Sequence, residues 1–163
     1  MNCKLRNMTS VYFVRDDAVL CLYRIGSRVA NNKFIGSAGG HFQEGELNDP
    51  RACILREMGE ELGLVESDIA DLSLRYITHR LKNGEIRQNY YYFARLKSPR
   101  DLISTEGDLQ WIPWEKLPGL DMPVSAKHMI LHYYAQGRFT DCCYCGITQP
   151  EGTRFQVLQE FEG

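Results

Sequence analysis

No apolar run in this chain approaches the roughly 20 residues needed to span a bilayer, and the opening MNCKLRNMTS holds no long hydrophobic leader segment. These two gaps predict a cytoplasmic protein with no membrane partner. Charge of one sign is missing too. A formal net charge of −2 over 163 residues and a pI near 6.1 provide no field that would hold a nucleic-acid polymer, so basic residues must act locally. There are six cysteines, but they form neither a disulfide framework nor a complete zinc motif. Cys3, Cys21 and Cys53 are scattered, and in a cytoplasmic chain thiols stay reduced. The CxxC within Cys142, Cys143 and Cys145 has no second CxxC or HxxxH to complete it, so these three read as strand residues. What remains is an ordinary globular composition, 44% hydrophobic and 25% charged, with a length that suits one domain, residues 1–163, around a real core.

The densest chemistry lies in residues 39–64, GGHFQEGELNDPRACILREMGEELGL. Asp49 as N-cap, Pro50 at N1 and Gly63 at an αL C-cap predict a helix over residues 50–62. At about 100° per residue, Glu57, Glu60 and Glu61 fall within a third of its circumference, and Ala52, Leu55, Met58, Gly59 and Leu62 fall opposite. Three like charges at i, i+3 and i+4 repel one another, and a cation would remove that cost. Carboxylate oxygens are hard ligands suited to Mg²⁺ or Mn²⁺, whose remaining positions hold water and phosphate oxygens. A bare ExxEE is more often a solvated acidic face. The glycine pair before it, which lets backbone approach a ligand closely, and Glu46 favour the metal.

Gly40, five residues, Glu46, and then Arg56-Glu57-Met58-Gly59-Glu60-Glu61-Leu62-Gly63-Leu64 resemble the Nudix box of the Nudix hydrolases, which cleave nucleoside diphosphates linked to another group. The second half matches at every specified position. Nine residues separate Glu46 from Arg56, two more than the usual pattern, which implies a longer loop before the helix. The resemblance implies an α/β fold, a Nudix-type α/β/α sandwich with a mixed sheet and a core of about residues 9–136. It implies a metal site of the Gly40 carbonyl, Glu46, Glu57, Glu60 and Glu61, with Mg²⁺ as cofactor and Mn²⁺ as substitute, and Arg56 orienting a box carboxylate. Arg24 matches an arginine that relatives place on the substrate phosphates, and is otherwise a surface residue at a strand end. Glu106 resembles a loop acid that approaches the metal as ligand or base; the base is Glu57 or Glu106. Asp121 and Met122 match a segment that contacts the purine, and are otherwise cap or core residues.

As a whole the chain looks most like the 8-oxo-dGTP diphosphatase, MutT-like branch, which implies hydrolysis of oxidised purine nucleoside triphosphates to monophosphate and pyrophosphate. The alternatives are a hydrolase of ADP-ribose or another NDP-linked metabolite and, from another class, a non-catalytic nucleotide-sensing module. Against the last, every box glutamate is kept. The partner is a small nucleotide, and the protein is a monomer or a homodimer.

Elsewhere, residues 9–14 and 18–23 predict a hairpin and residues 24–33 a loop. Residues 72–81 and 85–96 flank Asn83-Gly84, the type I′ signal, with Tyr90 to Phe93 alternating between faces and Arg80, Lys82 and Arg87 as solvated charges. Residues 98–107 read as loop, 109–114 as strand and 115–118 as a helical turn. A helix over residues 125–136 is capped by Ser125 and stopped by Gly137, with His128 and His132 as surface or packing residues. Residues 139–148 and 154–161 predict a C-terminal hairpin, an extension of about residues 139–161 that could extend the sheet, cover the pocket or pair with another subunit.

Overall fold

The computed structural model describes residues 3–26 and 31–161; residues 27–30 of the expected loop lie outside the described residues. One mixed sheet has strands β1 (Lys4–Val14), β2 (Ala18–Arg24), β3 (Lys33–Ile35), β4 (Ala38–His41), β5 (Ile69–Lys82), β6 (Glu85–Leu96), β7 (Gly107–Pro113), β8 (Tyr144–Gln149) and β9 (Gly152–Val157). Its main order is β3-β2-β1-β6-β5-β8-β9, with β4 on β1 and β7 on β2. Helices α1 (Pro50–Leu62) and α2 (Val124–Ala135) cover the two faces, giving an α/β/α sandwich. None of the described helices is long and apolar enough to cross a membrane.

The axis is β1. It runs parallel to β6 from Lys4 to Phe13, and its other edge is shared between β4, at Met8 to Val11, and β2, at Phe13 and Val14. The expected first hairpin therefore closes over only two residue pairs, Phe13 with Leu20 and Val14 with Val19. The strand begins at Lys4 rather than at residue 9, because pairing with the distant β6 holds polar residues extended that local alternation leaves unassigned.

Alternation along β1 sends Val11 and Phe13 to one face, where they pack with Ile54, Met58 and Leu62 of α1. Tyr12 goes to the other face, among Tyr76, Tyr91, Phe93 and the α2 residues Met129, Ile130 and Tyr133. The caps of α1 form as expected: Asp49 accepts from the Ala52 N–H at 2.9 Å, and Gly63 sits at φ 65°. Its buried stripe is rotated from the expected one. Cys53, Ile54, Glu57, Met58 and Leu62 are buried, whereas Gly59 is exposed, so Glu57 lies at the inner edge of the acidic face. Ser125 is not the cap of α2. Pro123 precedes that helix, and Ser125 lies inside its first turn, buried.

Asn83 and Gly84, at φ 53° and 69°, make the expected tight turn. The C-terminal hairpin extends the sheet, with β8 parallel to β5 and β9 outside it. It is shorter than expected, for Phe139 closes a 3₁₀ turn, Gly137–Phe139, and β9 ends at Val157. The six cysteines are unpaired. His128 bonds Thr153 of β9 at 2.8 Å and His132 bonds the Tyr76 hydroxyl at 2.7 Å, so both serve packing. Arg75, buried on β5, donates to the carbonyls of Cys142 (3.0 Å), Gly137 (2.7 Å) and Thr140. One guanidinium thus satisfies the irregular chain between α2 and β8. Arg75→Met should orphan these carbonyls and cost about 2–4 kcal/mol, read as a fall in Tm with a loss of amide-exchange protection concentrated in β8 and β9.

Candidate active site

β4 and α1 lie against each other so that the glycine backbone faces the acids. A Cβ on Gly40 would collide with the carboxylate of Glu57, so this position tolerates no side chain while Glu57 keeps its place. The Gly39 N–H donates to Glu61 at 3.1 Å. Around this contact a cleft of about 470 Å³ is lined by Gly39, Gly40, Arg56, Glu57, Glu60 and Glu61, with Arg24 and Met8 at its edge.

Arg56 organises the acids. Its Nε and Nη2 hold the two oxygens of Glu46 at 2.6 and 3.0 Å, Nη1 reaches Glu57 at 2.9 Å and Glu60 at 3.0 Å, and Nη2 also donates to the His41 carbonyl at 3.1 Å. The longer spacing before the helix is absorbed by residues 47–49, which follow a 3₁₀ turn, Glu44–Glu46. Glu46 still arrives beside the helix, but both its oxygens belong to Arg56, and one also accepts from the Gln43 N–H at 2.9 Å. It is placed as the counter-ion of Arg56 and not as a free ligand.

The same chemical group is pushed in opposite directions here. The Arg56 hydrogen bonds hold the Glu46 carboxyl down at about 2. Burial raises Glu57 despite Arg56, and burial, with Glu57 and Glu106 nearby, pushes Glu61 up to about 7. Desolvation and mutual repulsion make the charged forms of these carboxylates costly, a cost that positive charge in the cleft would lower. Among the described residues, no three His, Cys, Asp or Glu side chains are already gathered in ligating positions.

Glu106 meets the site through Arg24. Gly107 pairs with Arg24 in the β2–β7 ladder, and a Cβ on Gly107 would strike the Tyr23 carbonyl. That close approach brings Glu106 to within 2.8 Å of the Arg24 guanidinium. The Arg24 Nε is buried without a partner.

A second cavity, about 130 Å³, opens beyond Arg24 and Glu61 on the α2 side of the sheet. It shares Met8, Arg24, Gly39 and Glu61 with the acid cleft. Its walls are mostly apolar, but Tyr12, Arg80 and Ser125 each present a buried polar atom without a partner. Neither Asp121 nor Met122 lines it. Asp121 is exposed and paired with Lys33 at 2.6 Å, and Met122 is a core residue. The polar lining comes instead from Arg80, Arg87, Asn89 and Ser125. Arg80 and Arg87 are therefore not solvated turn charges. The signal for them was the tight Asn83-Gly84 turn, which sets the two arginines directly opposite each other.

A family model described as NUDIX domain matches residues 4–133. Among solved structures, a MutT protein from Bacillus halodurans is similar over 93% of this chain and 97% of its own, at 20% identity and a TM-score of 0.65. The NUDIX domain of Shewanella oneidensis NrtR complexed with ADP ribose is similar over 86% and 90%, at 16% identity and 0.58. A C. elegans Ap4A hydrolase in a binary complex is similar over 81% and 96%, at 16% identity and 0.62. At these identities the likeness is one of fold. A comparison with curated proteins gave no match.

Two outcomes follow from the geometry. Glu46→Gln should cost about 1–2 kcal/mol at pH 7. Because Glu46 titrates below its ordinary value of 4.5 in the folded state, its contribution is complete above pH 4.5 and lost as pH falls towards 2; the Tm gap to wild type should close across that window. Gly40→Ala should displace the Glu57 carboxylate and weaken divalent-ion binding by about tenfold or more, measured by calorimetry, with the fold retained by circular dichroism.

Proposed function

The chain belongs to the NUDIX domain family and is a Nudix hydrolase acting on phosphoric anhydride bonds, and from that premise we propose that it hydrolyses purine nucleoside triphosphates, oxidised ones among them, to monophosphate and pyrophosphate with Mg²⁺ or Mn²⁺. The observation that supports this reading is the junction of two compartments. An acid cleft and a mostly apolar cavity share Met8, Arg24, Gly39 and Glu61, so a phosphate chain and its nucleoside each have a place, and the anhydride lies between them.

The residues fit a hard divalent ion. The Glu57 carboxylate occupies the side of Gly40 that a Cβ would fill, and the cleft around it is lined by further carboxylates, hard oxygen donors suited to such an ion. The Gly40 carbonyl with Glu57, Glu60 and Glu61 would hold the ion, and Glu46 acts one step removed by fixing Arg56. A bound ion supplies positive charge to the phosphates and acidifies the attacking water. Arg56 orients Glu57 and Glu60 through paired hydrogen bonds. Arg24, with its Nε free of partners, donates to a phosphate oxygen. Of the two candidate bases, Glu57 is packed against Gly40 and tied to Arg56, which suits a ligand. Glu106 lines the cavity beside the junction residue Arg24 and is bonded by a single arginine N–H, which suits proton removal from water once Arg24 turns to the phosphates.

A second reading, hydrolysis of ADP-ribose or another NDP-linked metabolite, uses the same cleft. It is favoured by the arginines in the cavity, which an uncharged base does not require. Phosphate-release assays separate the two, because a nucleoside triphosphate yields pyrophosphate, whereas ADP-ribose yields AMP and ribose phosphate. In either case Glu60→Gln should lower kcat about 10²-fold or more at saturating Mg²⁺; wild-type kcat in that variant would refute the assignment.

A further inference from the structure

The cavity beyond the acid cleft carries more positive charge than its own acids neutralise. Arg80 on β5 and Arg87 on β6 are direct cross-strand partners, and Arg6 on β1 is level with Arg87 on the other side. Partners across a ladder point to the same face, so three guanidinium groups stand in one row. Glu85 serves two of them, bonding Arg87 at 2.7 Å and lying 3.6 Å from Arg6. The Arg6 Nε donates to His41 Nε2 at 2.6 Å, an imidazole whose pKa is lowered by burial and then by Arg6. Among the described residues Arg80 has no carboxylate partner, and its Nε is buried without any partner.

Arg80 and Arg87 both line the cavity, and its acids are engaged elsewhere. Glu106 bonds Arg24 and Glu61 accepts from Gly39. Burial, and then Arg87, pull the Arg80 guanidinium below its ordinary value, which agrees with a cation that has too little counter-charge. Like charges directly opposite on neighbouring strands destabilise a sheet. A neutral keto edge would offer acceptors but leave the repulsion in place; an anion removes both deficits, and guanidinium groups match phosphate oxygens in geometry.

Resting on the reading of the acid cleft as the place where the anhydride is cut, we propose that Arg80 and Arg87 bind a phosphate ester of the substrate remote from the scissile bond. The preferred substrate is then a nucleotide anhydride that carries a further phosphate. The apolar wall takes the nucleoside, and the Tyr12 and Ser125 hydroxyls, both without partners, face it beside the arginine pair.

The test uses pairs of compounds that differ only in that phosphate: 2′-phospho-ADP-ribose against ADP-ribose, and coenzyme A against dephospho-coenzyme A. Each is measured by calorimetry with metal-free protein and by kcat/KM with Mg²⁺. In at least one pair the phosphorylated member should bind about tenfold or more tightly, the advantage should shrink with salt, and it should fall to about twofold or less in Arg80→Gln and Arg87→Gln while Arg80→Lys retains part of it. Thermal melts confirm that the variants fold. No preference in either pair, or a preference untouched by both glutamine variants, overturns the proposal. Preferential binding without cleavage of any compound upholds it and refutes the NDP-linked reading of the acid cleft instead.

Discussion

The acid cleft depends on one guanidinium. Arg56 takes Glu46 with two of its nitrogens, steadies Glu57 and Glu60 with the third, and anchors on the His41 carbonyl. Because Arg56 and its partners come from α1, the 3₁₀ turn before it and the end of β4, the same contacts that order the acids also hold these three segments together. A carboxylate cluster without such a centre would spread to relieve its own repulsion. With it, the acids stay beside the glycine backbone, and the remaining excess of negative charge is directed at the cleft.

Position within that cluster decides what each glutamate can do. Glu46, bound at both oxygens, stays ionised through almost the whole pH range and cannot turn outwards without leaving Arg56 bare. Glu57 and Glu61 are held where water is scarce and other acids are close, so their charged forms are costly. Glu60, half exposed at 57% of its side-chain surface, has the freedom to adjust. An apparently uniform acidic motif is thereby divided into a clamp, two desolvated acids and a more exposed one.

The sheet brings the other half of the site from far along the chain. β1 pairs on both edges, which sets Met8 between the acid cleft and the cavity. β2 delivers Arg24 from one side, β7 delivers Glu106 opposite it, and the β5–β6 hairpin delivers Arg80 and Arg87. Two close approaches depend on glycine, a side-chain carboxylate at Gly40 and a backbone carbonyl at Gly107. They bring Glu57 against Gly40 of β4 and Glu106 to Arg24, and the compartments meet at a common edge.

Local rules were sufficient for whatever short-range chemistry specifies. Asp49, Pro50 and Gly63 mark the ends of α1 because capping is settled within a turn, and Asn83-Gly84 marks the β5–β6 turn because few residues accept its backbone angles. The acids and their arginine were readable for the same reason, being neighbours on one helix. The sequence by itself could not show that Glu46 would commit both oxygens to Arg56, that Ser125 would face a cavity instead of capping α2, or that Arg80 and Arg87 would point into the molecule while Asp121 and Met122 did not. Those outcomes depend on which strand lies beside which and how a helix is rotated against the sheet, and only the packing of residues far apart in the chain decides that.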